Sequence, residues 1–352
     1  QVFHYGDCLA LDRAGAVANS VYGATDEAYI ADIYYAASAQ IVAKAAAVLG
    51  LEETRQNYQA IADRQWQVVK EEYFTATGRC AVKTQTGLVL ALKYHLSDNE
   101  RLTEQMLRKL LRDNKNKLNT GFVGTPLLCN VLTEHGMTDL AYRLLLNEEY
   151  PGWLHEVKLG ATTVWERWNS LDENGRISST GMNSLNHYSY GAVLEWIFRH
   201  VAGIDVTEQG PGGKMMRISP KVDHKLGSAS AVYDSASGCY RCGWQIENGD
   251  QITVTVTVPF GAKAQVILPY APDSVYHDTD NPLFETVENG ICCVKAGQYT
   301  VTYKAASPLK KSYSVDSTLE DLLGEPAIRA FLSNMMEVDM IPDLAYGLTL
   351  RQ

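Results

Sequence analysis

The stretch Gly203–Lys214, GIDVTEQGPGGK, divides the sequence in two. Before it, apolar residues return every three to four positions, the period of an amphipathic helix. After it they alternate or gather in β-branched runs, the period of a strand. Four glycines and a proline within the stretch forbid either pattern from running through. The chain therefore reads as a helical half followed by a β half.

Upstream, DEAYIADIYYAASAQIVAKAAAVLG (26–50) is apolar on most faces, as a helix inside a larger helical array would be, and ends at Gly50. Amphipathic or apolar helices are predicted over 51–74, 84–96, 101–114, 125–136, 138–150 and 183–203, with short polar or glycine breaks between them. Asp26 and Glu27 favour one helix start, Thr138 or Asp139 another, and Asn183 or Ser184 a third. Helical hairpins on short turns predict an α/α toroid or bundle. Downstream, MRISPKV, SASAVYD, YRCGWQIEN, QITVTVTVPF, AKAQVILPY and GQYTVTYKA predict an antiparallel β-sandwich, and ENGDQ and ENGIC carry Asn-Gly turns. Residues 1–203 thus form a helical domain, 204–306 a sandwich and 307–352 a tail of one or two short helices packed back on the body, the first starting near Ser317–Asp321.

The 352 residues are 46% apolar and 20% charged, ordinary for globular domains. A net charge of −10 excludes nucleic acid and anionic membrane as main partners. No window is long and apolar enough to span a bilayer. Seven cysteines, an odd number, predict free thiols in a reducing compartment. Cys239 and Cys242 form a CxxC with no second pair or histidine cluster, so no metal is expected. The opening at Gln1, without methionine, reads as mid-domain.

Polar and aromatic residues cluster in three helical-half segments. HYGDCLALD with GATDEAY offers Asp7, Asp12, Asp26 and Glu27. YPGWLHEVKLGATTVWERW offers Trp153, His155, Glu156, Trp165, Glu166, Arg167 and Trp168; GMNSLNHYSYG offers Asn183, Asn186, His187 and Tyr188. On one helical turn Trp165 and Trp168 would wall in Glu166, where a partly dried carboxylate gains adjustable proton affinity. The same residues also suit an ion pair of Glu166 with Arg167, and His187 suits capping as well as ligand contact. Serine-hydrolase, P-loop, dinucleotide and HExxH motifs are absent.

TGFVGTPLLCNVLTEHGMTDLAYRLLL, YPGWLHEVKLGATTVWERW and GMNSLNHYSYGAVLEWIFRHVAGI closely resemble the bacterial α-L-rhamnosidases of glycoside hydrolase family 78, over a span from Tyr5 to Lys304. The resemblance implies an incomplete (α/α)6 toroid, then a β-sandwich, and inverting hydrolysis of terminal α-L-rhamnosides without a cofactor. It implies Glu166 as general base, His187 as a sugar-binding residue, and Trp165, Trp168, Trp153, Asp7 and Asn186 as further sugar contacts. It also implies two departures. The family's general-acid segment precedes the Gly-Asp motif with which this sequence begins, and Cys8 replaces a tryptophan. Impaired hydrolysis, altered activity on activated esters and a non-catalytic sugar-binding remnant all follow as expectations. So do a homodimer covering the incomplete toroid and a bacterial cytoplasmic location.

Overall fold

Asp26 starts the first helix: its side chain accepts the Tyr29 N–H at 2.9 Å, satisfying a donor the helix itself leaves open. The computed structural model describes residues 4–13, 21–172, 174–178, 181–278, 280–342 and 345–351. The chain divides into two units, Gln1–Ile197 and Phe198–Gln352.

Helix α1 (Glu27–Val48) buries Tyr29, Ile30, Ile33, Ala36, Ala37, Ala43 and Ala46, one stripe at helical spacing. It closes as the glycine predicted: Gly50, at φ +71°, donates to Ala47 and Leu51 to Ala46, the paired bonds of a Schellman cap. Helix α2 (Glu52–Tyr73) joins it through Gln65 and Tyr73, whose side chains both reach Asp32. Helices α3 (Gln85–Lys93) and α4 (Glu100–Asp113) are capped by the Thr84 and Asn99 side chains. Helices α5 (Thr125–Glu134), α6 (Thr138–Leu145), α7 (Trp153–Lys158) and α8 (Val193–Trp196) follow. The Trp196 indole donates to the Thr133 hydroxyl at 2.8 Å and ties α8 to α5.

Two helix starts differ from the sequence reading. Neither Thr138 nor Asp139 caps α6; Met137 holds that position without a side-chain bond. Asn183 and Ser184 cap nothing, because residues 181–188 are irregular and the helix begins only at a 3₁₀ turn, Ser189–Ala192. The stretch 161–170 is not helical either, so Trp165 and Trp168 do not share a helical turn. Helix α1 likewise buries a single face; Tyr34, Ile41 and Val48 on another side are exposed.

The second unit holds two sheets. One runs β3 (Ser228–Ser235), β4 (Gly238–Glu247), β5 (Gln251–Val258), β9 (Gly297–Lys304), antiparallel throughout. The other runs β1 (Ile204–Val206), β2 (Met215–Ile218), β6 (Lys263–Val266), β8 (Ile291–Val294), β7 (Val287–Glu288). In it β2 and β6 are parallel, a departure from the wholly antiparallel sandwich expected. The alternation in QITVTVTV is read literally: Ile252, Val254, Val256 and Val258 are buried. Both Asn-Gly turns hold left-handed residues, Asn248–Gly249 and Asn289–Gly290. Cys239 and Cys242 stand three apart on β4 and so face opposite sides, which separates the CxxC as a ligand pair.

Beyond β9, Thr318 caps α9 (Leu319–Gly324), and α10 (Pro326–Ser333) follows. Leu319, Leu322, Leu323, Leu332 and Val338 form a cluster lined by Tyr313, Ile328 and Ile341, so the tail's apolar core is its own. It belongs to the second unit and makes no third. Among the described residues no helix is long and apolar enough to cross a membrane.

Candidate active site

Asp7 organises one wall of the first unit. Its carboxylate is fully buried and accepts the Thr86 hydroxyl together with the backbone N–H groups of Gly121 (2.9 Å), Val123 (2.9 Å) and Gly124 (3.1 Å), at the start of α5. Burial pushes its carboxyl above the usual range while those four donors pull it down. The glycines of TGFVG are needed for this approach. A Cβ on Gly121 would lie 2.2 Å from the Cys8 carbonyl, and one on Gly124 would lie 2.1 Å from the Thr86 hydroxyl. Asp7, expected to touch sugar, instead has its acceptors occupied by the fold. Cys8 is buried beside it, and burial pushes its thiol up.

The Tyr150–Pro151 bond is cis, and the chain then enters α7. Trp153 donates its indole N–H to the Tyr190 carbonyl at 2.9 Å. Trp168 stacks on the Tyr190 ring at 4.1 Å and meets Trp153 edge to face at 5.3 Å. Trp165 and Trp168 are 2% and 1% exposed, so these indoles close the interior behind the site and do not lie open as sugar walls. That corrects the expectation for Trp153, whose N–H is spent on the Tyr190 carbonyl, and for Trp168, which is buried against the Tyr190 and Trp153 rings.

The two motif segments lie side by side. Glu166 donates its N–H to the Ser184 carbonyl at 2.9 Å, and His187 donates to the Val164 carbonyl at 2.8 Å. The Ser184 N–H in turn donates to the Glu166 carboxylate at 2.8 Å. Glu166 and His187 therefore come from two irregular segments held side by side by hydrogen bonds. Arg167 reaches past its neighbour: its Nε donates to the carbonyl of Met182, a residue held at φ +54°.

His187 stacks between the rings of Phe122, 5.1 Å away, and Tyr188, 5.0 Å away. Its Nδ1 accepts the Ser189 N–H, which leaves Nε2 as the donor of the neutral ring. Tyr188 is largely exposed, and Asn186 is exposed with its backbone N–H tied to the Ser184 hydroxyl. Phe122 also meets Tyr190 edge to face, and the Tyr190 hydroxyl donates to the Leu9 carbonyl. Asp7, Cys8, Phe122, Tyr190, Glu166 and His187 thus belong to one neighbourhood. It holds an oriented carboxylate and a fixed imidazole beside aromatic surface. Such a set can accept a proton from water and hydrogen-bond a polyol.

Glu156 was without an assigned role, yet it is 4% exposed and burial pushes its carboxyl up to about 8. Phe122 and Ser184 complete the list of site residues whose parts the sequence alone did not reveal. Their signal is positional only, inside the TGFVG and GMNSLNH segments. No group of three or more His, Cys, Asp or Glu side chains that could hold a metal ion occurs among the described residues.

Residues 1–201 match the family described as the bacterial alpha-L-rhamnosidase 6 hairpin glycosidase domain, and 203–281 its C-terminal domain. An alpha-L-rhamnosidase of Formosa agariphila is 36% identical over 270 residues, covering 76% of this chain and 29% of that protein. One from an Alteromonas species is 36% identical over 283 residues, covering 79% of this chain and 30% of that protein. The crystal structure of Streptomyces avermitilis alpha-L-rhamnosidase complexed with L-rhamnose superposes with a TM-score of 0.74 at 32% identity, over 85% of this chain and 28% of that one. The chain spans less than a third of the length of each of these relatives. With its helical unit and following β unit both matched in order, the chain belongs to the bacterial alpha-L-rhamnosidase six-hairpin glycosidase family.

Proposed function

We propose that this chain carries the general base and part of the sugar-binding surface of an inverting α-L-rhamnosidase. Glu166 takes a proton from the water that attacks the anomeric carbon, and His187 hydrogen-bonds sugar hydroxyls. One observation supports this above the others. The Ser184 N–H grips one oxygen of the Glu166 carboxylate, so the segment that delivers His187 also aims the base. Arg167 bonds to Met182, which weighs against the reading of Glu166 and Arg167 as no more than a structural pair.

The ester-hydrolysis alternative needs a reactive Cys8. A buried thiol with its proton held more tightly than usual is a poor nucleophile, which disfavours that reading. The test is turnover of 4-nitrophenyl α-L-rhamnopyranoside, whose leaving group departs without a proton donor. Turnover that collapses in Glu166→Gln supports the reading. Turnover unchanged by that substitution removes it. Calorimetric binding of L-rhamnose with no turnover replaces it by a sugar-binding role.

For the helical unit we infer a second copy of the chain as partner. Tyr34, Ile41 and Val48, seven apart, leave an apolar strip on α1 open to water, the kind of surface that association buries. Light scattering that gives a monomer mass at micromolar concentration removes this inference.

A further inference from the structure

Glu156 holds both ends of the segment that leads to Glu166. Its backbone carbonyl accepts the Ala161 N–H at 3.0 Å, which turns the chain back after α7. Its side-chain carboxyl faces the backbone N–H of Trp165, the residue immediately before Glu166, closely enough for that N–H to favour the charged form. The five residues ATTVW are thus bracketed by one amino acid. The second carboxyl oxygen, Oε1, is buried without a hydrogen-bond partner.

We propose that Glu156 is a positioning residue for Glu166, acting as a neutral carboxylic acid, and that its ionisation loosens the turn that aims the base. The kinetic side of this rests on the reading of Glu166 given above; the structural side does not.

The physical argument starts from the unpartnered oxygen. An ionised carboxylate presents two charged acceptors, and only one here meets a donor. Burying such a charge unpaired is costly, and the group avoids it by keeping its proton. Burial accordingly pushes the Glu156 carboxyl up to about 8, and the Trp165 N–H offsets only part of the rise. Neutral, it can still accept that N–H through its carbonyl oxygen. Ionised, it sets a charge among Trp153, Trp165 and Tyr190. The titratable and charged groups around it are few. Tyr190 faces it from the Ser189–Ala192 turn, its own phenol pushed well up by burial with a small contribution from Glu156. Glu166 and Arg167 follow on the loop. His155 and Lys158 share its helix, with Lys158 paired to Glu148 and His155 edge-on to Tyr150. Asp7 and Cys8 approach from beyond Tyr190. None of the cations among these contributes to the Glu156 shift.

Glu156→Gln keeps the acceptor and the shape but cannot ionise, so it separates the charge from the hydrogen bond. The experiment follows near-UV circular dichroism of the chain against pH, with L-rhamnose calorimetry on each side of the Glu156 transition. The wild type is expected to show a one-proton change near pH 8 and a rhamnose affinity at least fivefold weaker above it. Glu156→Gln is expected to lose the spectral change and to bind rhamnose equally on both sides. A Glu156→Gln titration identical to wild type overturns the proposal. Should rhamnose bind at no pH, the reading of Glu166 falls while the spectral comparison still decides the role of Glu156. Should Glu156→Gln fail to fold, hydrogen exchange of the Trp165 amide in the wild type decides instead. Protection lost through the same transition supports the proposal, and protection unchanged across it overturns it.

Discussion

Glu166 and Ser184 exchange two hydrogen bonds: backbone N–H to carbonyl at 2.9 Å in one direction, and backbone N–H to carboxylate at 2.8 Å in the other. The catalytic candidate therefore also helps to hold the two segments together. Its replacement separates the two duties. Glu166→Gln keeps an oxygen for the Ser184 N–H, so the folded state is expected to hold while turnover of the nitrophenyl rhamnoside falls about 10²- to 10⁴-fold. Glu166→Ala leaves that N–H without its acceptor and is expected to cost about 1–3 kcal/mol in urea unfolding as well.

Asp7 predicts a purely structural loss. Asp7→Ala orphans four donors at once, and roughly 3 kcal/mol or more of stability is expected to disappear in the same assay. Gly124→Ala should reproduce much of that loss, because its Cβ meets the Thr86 hydroxyl. Both are read as shifts in the urea midpoint.

Stability should fall as pH rises from the acid side toward 8. In the unfolded chain the Glu156 carboxyl titrates near its ordinary 4.5, and in the folded chain near 8. Between those values the folded state binds the extra proton, so each added pH unit costs up to about 1.4 kcal/mol from this group. The contribution is whole below the unfolded value and gone above the folded one. Asp7, also raised, acts with the same sign. Urea midpoints across this window should slope downward in the wild type and less steeply in Glu156→Gln.

The imidazole is fixed by stacking, and Phe122→Ala removes one of its two ring neighbours. Weaker L-rhamnose binding with the fold intact is expected, because His187 keeps its backbone bond to Val164. In turnover the change should fall on KM more than on kcat.

Legibility in the sequence follows the range of the interaction. The α1 cap at Asp26, its Gly50 terminus and the Asn-Gly hairpins depend on neighbours in the chain, and their residues announce them. The change of period at Gly203–Lys214 marks the passage from helices to strands for the same reason. Residues 161–170 and 181–188 escape that reading because their backbone groups bond across segments, Glu166 to Ser184 and His187 to Val164, which no local period encodes. The helix read from 183 begins only at Ser189, and Trp165 and Trp168, whose spacing would suit one helical turn, share none. The motifs drew attention to Glu166 and His187, but the burial of Asp7, Trp153 and Trp168 arises from partners far along the chain. For Glu156 the decisive fact is an oxygen without a donor, and composition is silent on that.

The clasp between residue 7 and the start of α5 joins positions 114 to 117 apart in sequence. Drawing such a loop shut costs about 4 kcal/mol of chain entropy if the intervening residues are still unstructured, and little once they have condensed. Helices α1 to α4 lie inside that loop, so the clasp closes last. Weakening it should hasten unfolding and leave the refolding rate nearly untouched, the kinetic signature of a seal set after assembly.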